Sequence, residues 1–267
     1  PALRHGPAWF PGTGGVSLFA ADLHVHTALS PCAEDEMTPP ALLDAAAENG
    51  LDMIAICDHN STRNARAVQQ AAEGRTHSRP AVLAGIEITT AEEIHVLGLF
   101  PDADAAERAG AEVGATLPQA SEPPADKKTV FGGQHVMDAQ GHVIDEETRV
   151  LGTATRLSLH EAVALIRRHD GLPVAAHVDR PSFSVLSQLG MFPEDVTFDA
   201  VELSAVGAAS GRAADLVALG LPIVTSSDSH FLTDLGRCRT HFEMAAPTFA
   251  EVALVFAGVG GRRCSLA

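Results

Sequence analysis

The 267-residue chain has no tyrosine, only four cysteines, and 18 Lys and Arg against 34 Asp and Glu, for a formal net charge of −16. Each shortage narrows what the protein can be. Wrapping a phosphate backbone normally needs a basic face, so this balance argues against extended nucleic-acid binding. A small phosphorylated substrate stays open, because bound divalent cations add positive charge that side-chain counting misses. The cysteines Cys32, Cys57, Cys238 and Cys264 are widely spaced and form no C-x-x-C pair. That argues against a disulfide framework and fits a reducing cytoplasm. No apolar run is long enough to span a bilayer, and the Pro- and Gly-rich arm at residues 1–15 lacks the apolar stretch of a signal peptide. Neither a membrane partner nor export is therefore expected.

What is present is an alternation of short apolar runs and amphipathic stretches. The runs lead to His26, Cys57, Glu87, Phe100, Ala176, Ser204 and Ser226, and the stretches between several of them have the helical period. Ser158 with Glu161, and Thr248 with Glu251, read as capping boxes opening helices. Ser61 reads as the cap of a helix ending at Gly74. Strands alternating with helices predict an α/β fold, a parallel sheet or barrel of about seven strands with crossover helices. The length suits one domain over residues 1–267, with about 101–152 as an insertion. Within it, QASEPPADKK reads as an exposed loop and residues 131–152 as a hairpin turning near Gln140 and Gly141.

Ionisable residues stand at the ends of these runs, where parallel α/β folds collect functional groups. His24 and His26 lie two apart in DLHVHT, so a strand presents both on one face. Asp228 and His230 repeat that spacing in SSDSH, and His59, Glu87 and His177 follow other strands. His95 sits near the beginning of its run rather than its end. Six histidines and two carboxylates exceed the four to six ligands of one ion, so about two or three divalent metals (Zn, Mn or Fe) are expected. His135, His142, His160 and His169 fall on the hairpin or on a solvated helix face and are not expected to ligate.

DLHVHT, CDHN, GIEI, IHVLGL, AHVDRP and SSDSH, in this order over roughly residues 17 to 240, resemble the motifs of the PHP (polymerase and histidinol phosphatase) superfamily. The resemblance implies a distorted seven-stranded (β/α) barrel of the PHP type, with the hairpin-containing segment inserted. It implies a metal-dependent phosphoesterase. His24, His26, Glu87 and Asp228 would hold one metal, with Glu87 bridging; His59 and His95 a second; His177 and His230 would complete the set. Many members carry S-D-G after the H-x-H pair, whereas this chain reads Ser30 to Glu36, leaving Cys32, Asp35 or Glu36 as possible replacement ligands.

The expected reaction is hydrolysis of a small phosphomonoester, histidinol-phosphate-like or a nucleotide, by a metal-bound hydroxide. Arg180 is the expected phosphate clamp, with Arg63 a second choice. Asp58 and Asp22 are expected to orient the imidazoles beside them, Asp58 within the catalytic group. Three alternatives stand beside this: a phosphodiesterase or nuclease acting on nucleotides or DNA ends, an amidohydrolase-type C–N hydrolase, and a non-enzymatic metal-binding module. The shortage of lysine counts against the amidohydrolase reading, because those enzymes commonly use a bridging modified lysine.

Overall fold

The computed structural model describes residues 15–75, 80–117 and 133–267. The arm at residues 1–15, apart from Gly15, and the loop QASEPPADKK lie outside them. Eleven strands and eight α-helices follow in chain order: β1 Ser17–Val25, α1 Pro39–Glu48, β2 Met53–Ile56, α2 Ala65–Glu73, β3 Ala81–Thr89, β4 His95–Phe100, α3 Ala103–Thr116, β5 His135–Met137, β6 Val143–Glu146, α4 Leu159–Arg168, β7 Leu172–Ala175, α5 Val185–Leu189, β8 Ala200–Leu203, α6 Ala205–Ala209, α7 Ala213–Leu216, β9 Ile223–Thr225, β10 Thr240–Met244, α8 Phe249–Phe256 and β11 Arg263–Leu266. The Ser158–Glu161 capping box is formed. Ser61 does not cap α2, which starts behind Asn64.

The main sheet has nine strands in the order β11-β10-β1-β2-β3-β4-β7-β8-β9, and β5 with β6 make the separate hairpin. It is a mixed, barrel-like sheet rather than an all-parallel one. The neighbours β1-β2-β3 and β7-β8-β9 pair in parallel, while β4 runs antiparallel to both β3 and β7. The antiparallel strands β10 and β11 extend the β1 edge. The edges approach closure. Thr240 Oγ1 donates to the Thr225 carbonyl and accepts from its amide, both at 2.8 Å. Beyond β9, Ser229 bridges to Val25 of β1.

Strand alternation divides the core into two layers. Ile54, Ile56, Ile86, Ile88 and Val96 face outward and are covered by α1 to α4. Met53, Ala55, Leu83, Leu97, Leu99, Val174, Ala200 and Val224 face inward, and α8 packs beneath them through Val252, Val255 and Phe256. The interior is narrow at β3. A Cβ on Gly85 would lie 2.6 Å from Cys57 Sγ and 3.0 Å from the Gly98 carbonyl, so only glycine fits there. Cys57 is fully buried in this layer, a small apolar filler. Among the described residues, no helix is long and apolar enough to cross a membrane.

Candidate metal centre

The inward rows that begin with apolar residues end in ionisable ones. On β3 the row is Leu83, Gly85, Glu87; from β2 it runs Met53, Ala55, Cys57 and on to His59; on β4 it runs backward from Leu99 through Leu97 to His95. A register irregularity in β1 between Asp22 and Val25 lets His24 and His26 both reach this rim. The antiparallel course of β4 explains His95: Thr89, near the end of β3, pairs with His95 at the start of β4. A strand's beginning thus lies at the rim where the parallel strands end. His177 and Asp228 sit just past β7 and β9 with φ of 27° and 50°, and Asn60 also has φ of 50°. Non-glycine residues held there cost about 1–3 kcal/mol each, strain that clusters where geometry serves function.

All eight expected ligand residues converge. Five imidazoles surround the fully buried Glu87. His95 Nδ1 is 2.7 Å, His177 Nε2 3.2 Å and His24 Nε2 3.4 Å from Oε1; His59 Nδ1 is 2.9 Å and His26 Nε2 3.5 Å from Oε2. Asp228 Oδ1 lies 3.0 Å from His26 Nε2 and 3.3 Å from His24 Nε2. His24 Nε2 and His26 Nε2 face each other at 3.2 Å. Three overlapping groups could each hold a cation: His24, His26, Glu87 and Asp228; His59, Glu87 and His95; His26, His59 and His230. Despite these short distances, Glu87 Oε2, His59 Nδ1 and His177 Nδ1 are buried without a directed hydrogen bond. Buried polar atoms are rarely left so, and the N and O donor set fits Zn, Mn or Fe.

The outward ring nitrogens are committed elsewhere, which aims the others inward. His24 Nδ1 meets Glu202 Oε2 at 3.0 Å, His26 Nδ1 meets Ser30 Oγ at 2.9 Å, and His230 Nδ1 donates to the Asp228 carbonyl at 2.9 Å. Charge follows from the neighbours. Burial disfavours a charged His24, yet Asp228, Glu202 and Glu87 raise its pKa well above the ordinary value. Burial likewise opposes charge on His59, but Glu87 and Cys32 push it up to about 10. Burial together with His230 and His59 holds His26 well below the ordinary value. Burial works against ionising Glu87, and His95, His24 and His59 nevertheless hold it well below the carboxylate range. The field that keeps protons on His24 and His59 equally attracts a divalent cation, which would displace them.

The other expected residues divide. Asp58 does not face an imidazole. Its oxygens accept from the Thr27 amide, the Thr27 hydroxyl and the Ser30 hydroxyl at 2.7–2.8 Å, so it reaches His26 only through Ser30. Asp22 accepts from the amides of Ser227 and Gly236 and anchors the loop that carries Asp228 and His230. Arg180 lies at the centre, with Nη1 2.6 Å from Asp228 Oδ2. Arg63 does not; the hairpin takes it, through Asp145 at 2.6 Å and Glu147 at 3.5 Å. Of the replacement ligands, Asp35 is exposed, with His135 3.4 Å away, and Glu36 is exposed. Cys32 is exposed on its loop; burial would raise its thiol pKa, and the nearby His230 and His59 bring it down to about 7.

Glu202, which the sequence motifs do not single out, accepts from His24 Nδ1 and from the His177 backbone amide at 3.1 Å. A lone carboxylate in the apolar run AVEL was the available signal, the same one that marked Glu87. Ser30 had no such signal. Its hydroxyl contacts His26, Asp58 and the His59 amide only once the loop is folded.

The family model for the PHP domain matches residues 22–171, and that for a PHP-associated region matches residues 212–255. No curated protein matches the chain. Among solved structures, the lesion-specific endonuclease PfuEndoQ from Pyrococcus furiosus superposes with a TM-score of 0.70 at 20% identity, over 93% of this chain and 58% of that one. Endonuclease Q in complex with a 27-mer duplex substrate bearing an abasic lesion gives 0.67 at 19% identity, over 92% of this chain and 58% of that one. This chain thus spans less than two thirds of either endonuclease chain. A two-domain protein from Bacteroides vulgatus containing a predicted PHP-like metal-dependent phosphoesterase gives 0.56 at 15% identity, over all of this chain and 69% of that one. The expectation of a small phosphorylated partner, with extended nucleic acid disfavoured, is overturned by the two endonuclease structures, one of which holds a DNA duplex. Net charge summed over a chain does not report the potential at one rim, where bound cations would dominate.

Proposed function

The chain belongs to the PHP family of metal-dependent hydrolases, and from that premise we propose that it cleaves phosphodiester bonds in nucleic acid at the rim around Glu87. The observation that carries this reading is the convergence of six imidazoles on Glu87 and Asp228, with buried atoms left unpaired, in a fold shared with DNA endonucleases. His24, His26, Glu87 and Asp228 would hold one cation. His59, His95 and Glu87 would hold a second, with His177 beside them, and His26, His59 and His230 form the third group that could take one. Divalent cations there supply activation of water and neutralisation of phosphoryl oxygens.

The protein's own residues do the rest. Glu202 fixes the His24 tautomer by accepting from Nδ1. Asp58 and Ser30 fix His26. Arg180 is two-fifths exposed, and its guanidinium is held at the rim by the Asp228 oxygen that does not face His24 and His26. Among the described residues nothing else engages its other N–H groups, which can donate to a non-bridging phosphate oxygen.

The test is turnover by the Mn- or Zn-loaded protein on lesion-bearing duplex DNA, undamaged duplex, single-stranded DNA and p-nitrophenyl phosphate. Strand cleavage that needs the metal is the expected result. Phosphate release from the monoester with every DNA left intact would refute the reading.

A further inference from the structure

The segment after β7 carries more than the ligand His177 and the cation Arg180. Three residues beyond Arg180 stands Phe183, with a left-handed φ of 56° and 39% of its surface exposed. An aromatic residue rarely takes that backbone conformation. Here it is fixed from both sides. The Phe183 carbonyl accepts from the His95 amide at 2.9 Å, and the Ser184 hydroxyl donates to the Arg180 carbonyl at 2.7 Å. The ring is stacked on the His95 imidazole, centroids 4.8 Å apart and planes 25° from parallel. One face of Phe183 therefore covers a ligand residue, and the exposed remainder is presented to solvent at the rim. The loop thus carries, three residues apart, a partly exposed aromatic ring against His95 and a guanidinium against Asp228, the kinds of group that a nucleotide's base and phosphate require.

We infer that Phe183 is the platform on which a nucleobase next to the scissile phosphate stacks while Arg180 holds the backbone. This rests on the nucleic-acid reading above. Burial of His95 alone does not explain the choice of residue, since leucine would cover the imidazole as well.

Binding of phosphorothioate-protected single strands to the metal-loaded protein, followed by fluorescence anisotropy, tests it. One strand carries bases and its partner is abasic throughout. Phe183→Ala and Phe183→Leu should each weaken the base-bearing strand about tenfold, within the range found for single base–aromatic stacks. The abasic strand should bind as it does to the wild type, metal content should stay unchanged, and Phe183→Trp should restore base-dependent binding. Equal loss for both strands, no loss for either, or base-dependent binding retained by Phe183→Leu would overturn the assignment while leaving the nucleic-acid reading intact. A wild type that neither binds nor cuts any strand would overturn both.

Discussion

Glu251 and Glu87 are both withdrawn from solvent, and their surroundings differ in kind. Glu251, at the start of α8, accepts from Arg262 Nε and Nη2 at 2.6 and 2.8 Å and from the Ala245 amide at 2.8 Å. One guanidinium and one amide satisfy both oxygens, and nothing further is needed. Among the described residues, no arginine pairs with Glu87. Five imidazoles stand around it, four of them with a ring nitrogen also engaged by Glu202, Ser30 or another histidine, and one of its own oxygens has no directed partner. A buried carboxylate completed by a fork of donors belongs to the architecture. One ringed by imidazoles is met by the protons held on His24 and His59, or by a divalent cation that displaces them.

Substitutions should separate the two in opposite ways. The largest effect belongs to Glu87→Gln. DNA cleavage should fall to near background, and metal content measured by mass spectrometry should drop by at least one ion per chain. Glu202→Gln should act more mildly. It disturbs the tautomer of His24 without removing a ligand, so metal affinity should fall about 10–100-fold, as is common for partners of metal-bound histidines, and be read by competition with a chelator. Glu251→Gln should leave metal content and cleavage intact and lower the melting temperature by several degrees, with or without metal. Loss of metal from the Glu251 variant, or full metal content retained by Glu87→Gln, would erase the distinction.

Much of this site could be read from the sequence because ligands at strand ends obey a simple geometry. His24 and His26 share a face two residues apart, and Asp228 and His230 repeat that spacing. His95 looked misplaced because the sequence does not announce that β4 runs against its neighbours; the pairing of Thr89 with His95 is a tertiary fact. The same limit hid β10 and β11, whose short runs continue the sheet only through pairing with β1. Asp58 is next to His59 and points the other way, as neighbours in extended chain do, and Asp22, two before His24, is taken off that face by the register irregularity between Asp22 and Val25. Glu202, far from any H-x-H pair, is the carboxylate that orients His24. The charge balance misled most about the partner, since −16 is a sum over the surface and the rim carries its own field.

The central claim is that cations complete the cluster around Glu87. Calorimetric titration of Mn or Zn into the metal-stripped protein near pH 7, repeated in buffers of different ionisation heat, tests it most directly. In the metal-free fold His24 is held well above the ordinary histidine pKa and His59 at about 10, so both carry protons at that pH. The expected result is more than one ion bound per chain, with about one or two protons released on loading, and affinity falling as the pH is lowered. Binding of no ion, or binding without proton release and unchanged in Glu87→Gln, would contradict it.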